Sequence, residues 1–120
     1  MQRCFLKSKL HRMVVTQAEL DYMGSITIDR DLMDITGLLE HEKVLVADID
    51  TGNRFETYVL EGERGSGIIC INGAAARLAR KGDMVIIAAY VMMSEEEAKK
   101  FSPKNILVDS NNRIVNQTVK

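Results

Sequence analysis

Gly67-Ile68-Ile69-Cys70-Ile71-Asn72-Gly73-Ala74-Ala75-Ala76-Arg77-Leu78-Ala79-Arg80-Lys81-Gly82-Asp83-Met84-Val85-Ile86-Ile87-Ala88 carries its own punctuation: a strand, a short helix and a second strand. The β-branched run from Gly67 to Ile71 is too short for a helix and is closed by Asn72-Gly73. Gly73 to Arg80 predicts a short helix ending before Gly82, and Met84 to Met92 predicts the second strand. The same order recurs upstream. Ser25 to Ile28 predicts a strand, Asp29 to Thr36 a helix that Gly37 is placed to stop, and Val44 to Asp50 another strand. Two such units suggest a pseudo-twofold barrel, which closes a sheet without exposed edges. Generic α+β alternation would write the same pattern.

Outward from these units, Arg3 to Lys9, Leu10 to Gln17 and Arg54 to Leu60 predict further strands, and Asp50-Thr51-Gly52-Asn53 a turn between two paired ones. Glu61 to Gly67 lacks the lysine and the spacing of a phosphate loop and reads as a flexible connection. Ser94-Glu95-Glu96-Glu97-Ala98-Lys99-Lys100 is a capping box with acids first and lysines last, followed by Pro103. Ile106 to Val108 and Arg113 to Val115 flank Ser110-Asn111-Asn112 and predict a small hairpin. A chain of 120 residues is the size of one domain. Its 16 basic and 17 acidic residues leave a net charge of -1, which argues against nucleic acid as a partner. Neither a signal peptide nor an apolar run of membrane length is present, so the expected place is the cytoplasm, with no membrane partner. Cys4 and Cys70 lack partner spacing and read as small buried hydrophobes, and with only His11 and His41 beside them no metal is implied.

The chemistry begins at Tyr22-Met23-Gly24-Ser25. Glycine tolerates tight, positive-φ conformations that would bring Ser25 Oγ against the Gly24 carbonyl carbon. Attack there gives an ester, elimination leaves dehydroalanine, and hydrolysis leaves a pyruvoyl group on a new chain beginning at position 25. A bare Gly-Ser is also an ordinary turn. Its context decides between the two. Lys9-Leu10-His11-Arg12, Leu20 to Asp29, Asn53-Arg54-Phe55-Glu56-Thr57-Tyr58, Ile71-Asn72-Gly73-Ala74-Ala75-Ala76 and Gly82 to Ile87 resemble, in order, the pyruvoyl-dependent aspartate 1-decarboxylases. The resemblance implies a mainly β chain with short helices, a six-stranded double-psi β-barrel plus a C-terminal helix and small hairpin. It further implies self-cleavage into 1–24 and 25–120, conversion of L-aspartate to β-alanine and CO2 for pantothenate synthesis, and a homotetramer. Some members use an accessory maturation factor, which leaves that partner open. The chain departs from the family at Ala47, where some members carry a bulky aromatic, and from Ser110 onward.

Decarboxylation needs a sink for the electrons left on Cα. A pyruvoyl group derived from Ser25 supplies one by forming a Schiff base with the substrate amine, so neither a metal nor pyridoxal phosphate is expected. The resemblance assigns Thr57 to polarising the Gly24 carbonyl and contacting substrate, and Tyr58 to returning a proton to Cα. A phenol carries its proton at neutral pH, but adjacent residues on a strand point to opposite faces. Arg54 and Lys9 suit a dicarboxylate, Arg54 through its two-pronged guanidinium. Lys9, like His11 and Tyr22 as pocket neighbours, rests on the resemblance. Asn72 is a candidate donor to an enolate or an N-cap, and Gly73, Ala74 and Ala75 are candidate backbone contacts. The rival function is a non-enzymatic double-psi-barrel binding or regulatory module, since a fold does not decide function.

Overall fold

Both repeated units form in the predicted order and pair with each other, the second with a 3-10 segment over Gly73–Arg77 where a helix to Arg80 was expected. In this computed structural model, which describes residues 1–119, the first unit is β3 (Ser25–Asp29), α1 (Arg30–Thr36) and β4 (Lys43–Asp48). The second is β6 (Ile69–Asn72), a 3-10 segment (Gly73–Arg77) and β7 (Met84–Ser94). β3 runs antiparallel to β6, and β4 antiparallel to β7. Around them lie β1 (Gln2–Val14), β2 (Gln17–Glu19), β5 (Arg54–Gly62), α2 (Glu95–Lys99), β8 (Lys104–Val108) and β9 (Ile114–Val119). The molecule is mainly β with two short α-helices. Neither helix is long and apolar enough to cross a membrane.

The ladders form one nine-stranded sheet in the order β2-β6-β3-β5-β4-β7-β1-β8-β9, where a closed six-stranded barrel was expected. Two physical reasons account for the difference. First, β8 adds in parallel to the free edge of β1, and β9 adds antiparallel to β8, so the expected hairpin extends the sheet. Second, the chain predicted to break at Lys9/Leu10 instead runs on as one strand to Val14. It absorbs its curvature in register shifts at Leu6/Ser8 and Leu10/Met13, with Arg12 at φ 64°. At Val15-Thr16 it changes neighbours. Val15 pairs with Asp83 and Gly82 ahead of β7, whereas the Thr16 N–H donates to Ile69 O at the start of β6. β5 divides its partners in the same way, β4 through Arg54–Tyr58 and β3 through Val59–Gly62.

Burial follows from these pairings. β4 and β7 alternate, sending Val44 and Val46, and Val85 and Ile87, inward. β3 and β6 are covered on both faces, with Ile26, Ile28, Ile69 and Ile71 all 0% exposed. Each such side chain contributes about 1.5–3 kcal/mol of transfer free energy. Leu32 and Met33 of α1 close one side of the core. The helix ends were legible locally: Asp29 caps α1 through the Asp31 N–H, Gly37 stops it at φ 76°, and Ser94 and Glu97 form the capping box of α2. Glu61 to Gly67, expected to be a flexible connection, is tied down instead. Asp29 accepts from the Gly65 and Gly67 N–H groups, Asn112 Nδ2 donates to Gly67 O, and Arg64 pairs with Asp31 and Asp34.

Candidate active site

Ser25 opens β3 directly opposite Asn72, which closes β6, and Thr27 lies opposite Cys70. Because side chains two apart on a strand share a face, these four converge. Asn72 Nδ2 donates to Ser25 Oγ at 2.9 Å and to Thr27 Oγ1 at 3.1 Å, while the Cys70 thiol donates to Asn72 Oδ1 at 3.1 Å. Ser25 is 0% exposed as a residue, yet it borders a cavity of about 310 Å³ lined also by Gln17, Tyr22, Met23, Thr27, Leu60, Ile68, Cys70 and Asn72. Among the described residues, no carboxylate or imidazole belongs to that lining. Burial, followed by the nearby Glu19 carboxylate, pushes the Cys70 thiol above its ordinary pKa, so it keeps its proton.

The residues preceding Ser25 pass over this cavity as an exposed bend. Gly73 is what lets them approach. It sits at φ 71°, and a Cβ there would meet Gly24 N and Cα at 2.7 Å and Tyr22 O at 3.0 Å. Gly24, by contrast, is not among the positive-φ glycines, and a Cβ on it would meet nothing within 4 Å. The left-handed conformation expected at Gly24 therefore belongs to its neighbour across the cavity. Asn72 corrects a second expectation. Its side chain makes no N-cap bond: the oxygen that would cap accepts from Cys70, the nitrogen is turned to Ser25 and Thr27, and the uncapped segment is a 3-10 turn ending at Arg77. Ala74 is exposed on that turn, whereas Ala75 packs against the core.

The other expected residues lie elsewhere on the chain's surface. Tyr22 does line the Ser25 cavity, and its ring is mostly exposed. Thr57 and Tyr58 border an open depression with Lys43 and Glu56. Lys43 and Glu56 form an ion pair at 2.9 Å, and the Tyr58 ring stands 6.2 Å from His41. Ile26 pairs with Val59, so Ser25 and Tyr58 are the preceding residues on neighbouring strands even though they line different hollows. Arg54 opens β5, exposed and opposite Ala47. Lys9 and His11 share one face of β1 and line a third hollow with Asn105, Ile106, Leu107 and Asn116. Burial, then Lys9 and Arg12, lower the pKa of His11, and its Nδ1 is buried without a partner. Within one chain, Ser25, Asn72, Gly24, Gly73 and Tyr22 come together, whereas Lys9, His11, Arg54, Thr57 and Tyr58 do not join them.

Two participants escaped the sequence reading. From sequence, Thr27 reads as an ordinary strand residue and Cys70 as a small hydrophobe. It is buried, as that reading has it, but its thiol is engaged. The signal was the two-residue spacing of Ser25 with Thr27 and of Cys70 with Asn72 on strands already predicted.

Comparison with known proteins identifies the family. A family model described as aspartate decarboxylase matches residues 1–115. The aspartate 1-decarboxylase of Thermoanaerobacter pseudethanolicus is 59% identical over 97% of this chain and 99% of its own length. Those of Acetivibrio thermocellus and Caldicellulosiruptor saccharolyticus are 60% and 61% identical, each over 92% of this chain and over 88% and 86% of their own lengths.

Proposed function

Because the chain belongs to the aspartate decarboxylase family and decarboxylates aspartate, we propose that it does so with a pyruvoyl group made from its own Ser25. The product of losing the α-carboxylate is β-alanine, whose expected use is pantothenate synthesis. The carrying observation is the buried Ser25 hydroxyl, held by Asn72 beneath an exposed Gly24 that Gly73 alone leaves room for. These residues fit the group: the position is buried, it faces a cavity, and a side-chain donor is already aimed at it.

In the proposed processing, Ser25 Oγ adds to the Gly24 carbonyl carbon and the peptide C–N bond breaks, giving an ester and a free amine. The Ser25 α-proton passes to water, the Cβ–Oγ bond breaks, and Gly24 departs as a carboxylate. Water then replaces the nitrogen of the resulting dehydroalanine, which leaves as ammonia. With no base lining the cavity among the described residues of one chain, the step would rest on the positioning of Ser25, and a slow single event is the expected consequence. Once in place, the group supplies a carbonyl through which charge at the substrate Cα is delocalised. Arg54 and Lys9 hold the substrate carboxylates, Tyr58 gives a proton to Cα, Thr57 steadies the Gly24 carbonyl and later the substrate, and Gly73, Ala74 and Ala75 offer close backbone contact.

This reading also takes the chain as one cytoplasmic domain divided into 1–24 and 25–120, acting as a homotetramer. What supports the assembly is the separation of the proposed clamp residues from the Ser25 cavity in a single chain, together with the exposed apolar Tyr90 and Met92 on β7. If β1 and β2 are counted as one strand kinked at Val15-Thr16, the pairing becomes a ring of six with β8 and β9 outside it, which supports the double-psi barrel. Warm incubation followed by intact-mass measurement tests the function. Wild type should yield 1–24 and a ketone-ended 25–120, and Ser25→Ala should stay whole. A wild type that stays whole, alone and with candidate maturation factors, would reject the proposal.

A further inference from the structure

Asn72 can present either its oxygen or its nitrogen to Ser25, and the hydroxyls of Ser25 and Thr27 do not choose between them, because a hydroxyl both donates and accepts. The choice falls to the group on the other side of the carboxamide, and that group is Cys70, with Sγ 3.1 Å from Asn72 Oδ1. We propose that Cys70 is a positioning residue for self-processing: its thiol proton, given to Asn72 Oδ1, turns Nδ2 toward Ser25 Oγ. The inference rests on the reading of Ser25 as the processing nucleophile, and it assigns to this cysteine a role that its burial alone does not.

The chemistry explains why the orientation matters. When the Cβ–Oγ bond of the ester breaks, the electron pair goes to Oγ, which leaves as part of the Gly24 carboxylate, while the α-proton passes to water. A donor already placed on Oγ stabilises that developing negative charge. With the carboxamide reversed, an oxygen would face the departing oxygen and repel it. The thiol suits the task because it keeps its proton: it is 96% buried, and its pKa is raised by that burial and by Glu19. Sulfur is also a weak acceptor, so the reversed carboxamide gains little from it. Asn72 Nδ2 meanwhile spans both hydroxyls, at 2.9 and 3.1 Å, so the orientation is read at the two positions on β3 that share the cavity.

The test is the rate of cleavage at Gly24-Ser25 by intact mass in wild type, Cys70→Ala, Cys70→Val and Cys70→Ser, with thermal unfolding of each measured on a Ser25→Ala background. Cys70→Ala and Cys70→Val, which lack the donor, should cleave about tenfold more slowly, and Cys70→Ser should recover to within about threefold of wild type. Val fills more of the vacated volume than Ala, so a folded donor-less variant is available even if Ala loosens β6. Donor-less variants that keep pace with wild type would overturn the proposal. So would a Ser variant as slow as a folded Ala or Val variant. A wild type that never cleaves defeats the reading of Ser25 itself, and this proposal with it, whereas cleavage that ignores Cys70 defeats the proposal alone.

Discussion

The Ser25 cavity and the Thr57–Tyr58 depression lie on neighbouring strands, yet they are built differently. Around Ser25 the polar groups are wired to one another: Cys70 to Asn72, and Asn72 to Ser25 and Thr27. The cavity lining there contains no charged side chain. Around Tyr58 the surface is open and charged, with Lys43 and Glu56 paired across the hollow and Tyr58 itself 38% exposed. A self-processing step involves only the chain's own atoms and can be arranged by internal hydrogen bonds. Turnover involves a diffusing, charged substrate, so its residues must face solvent or another protein surface. On the proposed function, the contrast would separate a mostly internal processing site from a solvent-facing turnover site, with Thr57 reaching from the second toward the first.

The harshest way to break this division is Gly73→Ala. The new Cβ would lie 2.7 Å from Gly24 N and Cα at a left-handed φ, costing about 1–2 kcal/mol for the conformation and about 1–3 kcal/mol for the clash. The bend above Ser25 is exposed and should give way, so cleavage is expected to be lost while the core still folds. Intact mass and a melting curve on one sample read both. Full-rate cleavage in a folded Gly73→Ala chain would mean that the bend does not need its present path.

Thr57 and Tyr58 sharpen the comparison at its boundary. If Thr57 steadies the Gly24 carbonyl, Thr57→Val should stall processing, although its side chain faces the other hollow. If Tyr58 acts only in turnover, Tyr58→Phe should cleave normally and release β-alanine roughly 100-fold more slowly. Normal cleavage in Thr57→Val would move Thr57 wholly to the turnover side. Impaired cleavage in Tyr58→Phe would erase the boundary drawn here.

Much of the fold was readable because its signals are local. Gly37, the Ser94 capping box and the Asp50–Asn53 turn need only a few neighbouring residues to work. The parallel pairing of β1 with β8 is not of that kind, since it joins Ser8 to Lys104 across nearly the whole chain. Nor is the fate of Asn72, whose capping oxygen is taken by Cys70 while the β3–β6 ladder brings the Ser25 and Thr27 hydroxyls against its nitrogen. Within the candidate site, Ser25, Asn72 and Tyr22, singled out from the sequence, border one cavity. The hollows occupied by Lys9 and Tyr58 depend on which strands lie beside β1 and β5, and alternation along one strand does not specify its neighbour.

The smallest effect is predicted at a third place, where the β4–β5 turn meets the start of β7. Asp48 is 2% exposed; its Oδ1 accepts from the Asp50 and Thr51 N–H groups, while its Oδ2 has no partner. Carboxylate oxygens of Asp48, Asp50 and Asp83 lie within 4.8 Å of one another. Burial, and then contact with Asp83, raise the Asp48 pKa, while contact with Asp48 lowers that of Asp83. A raised carboxyl pKa favours the folded state only while the group is protonated. That contribution is complete below the ordinary carboxyl value of about 4, and it is lost as pH rises through the folded value. Ionising Asp48 is therefore a cost to the folded state. Asp48→Asn keeps the Oδ1 acceptor for the turn and adds a donor facing Asp83, so it should stabilise the chain by about 1 kcal/mol at pH 7, with the gain shrinking as pH falls toward 4. Denaturant unfolding of the Ser25→Ala chain with and without the substitution, at both pH values, measures it. Cleavage in the otherwise wild-type chain should be unchanged by Asp48→Asn, because the turn shares no hydrogen bond with the Ser25 network. A change in cleavage rate would show that processing draws on more of the sheet than the cavity around Ser25.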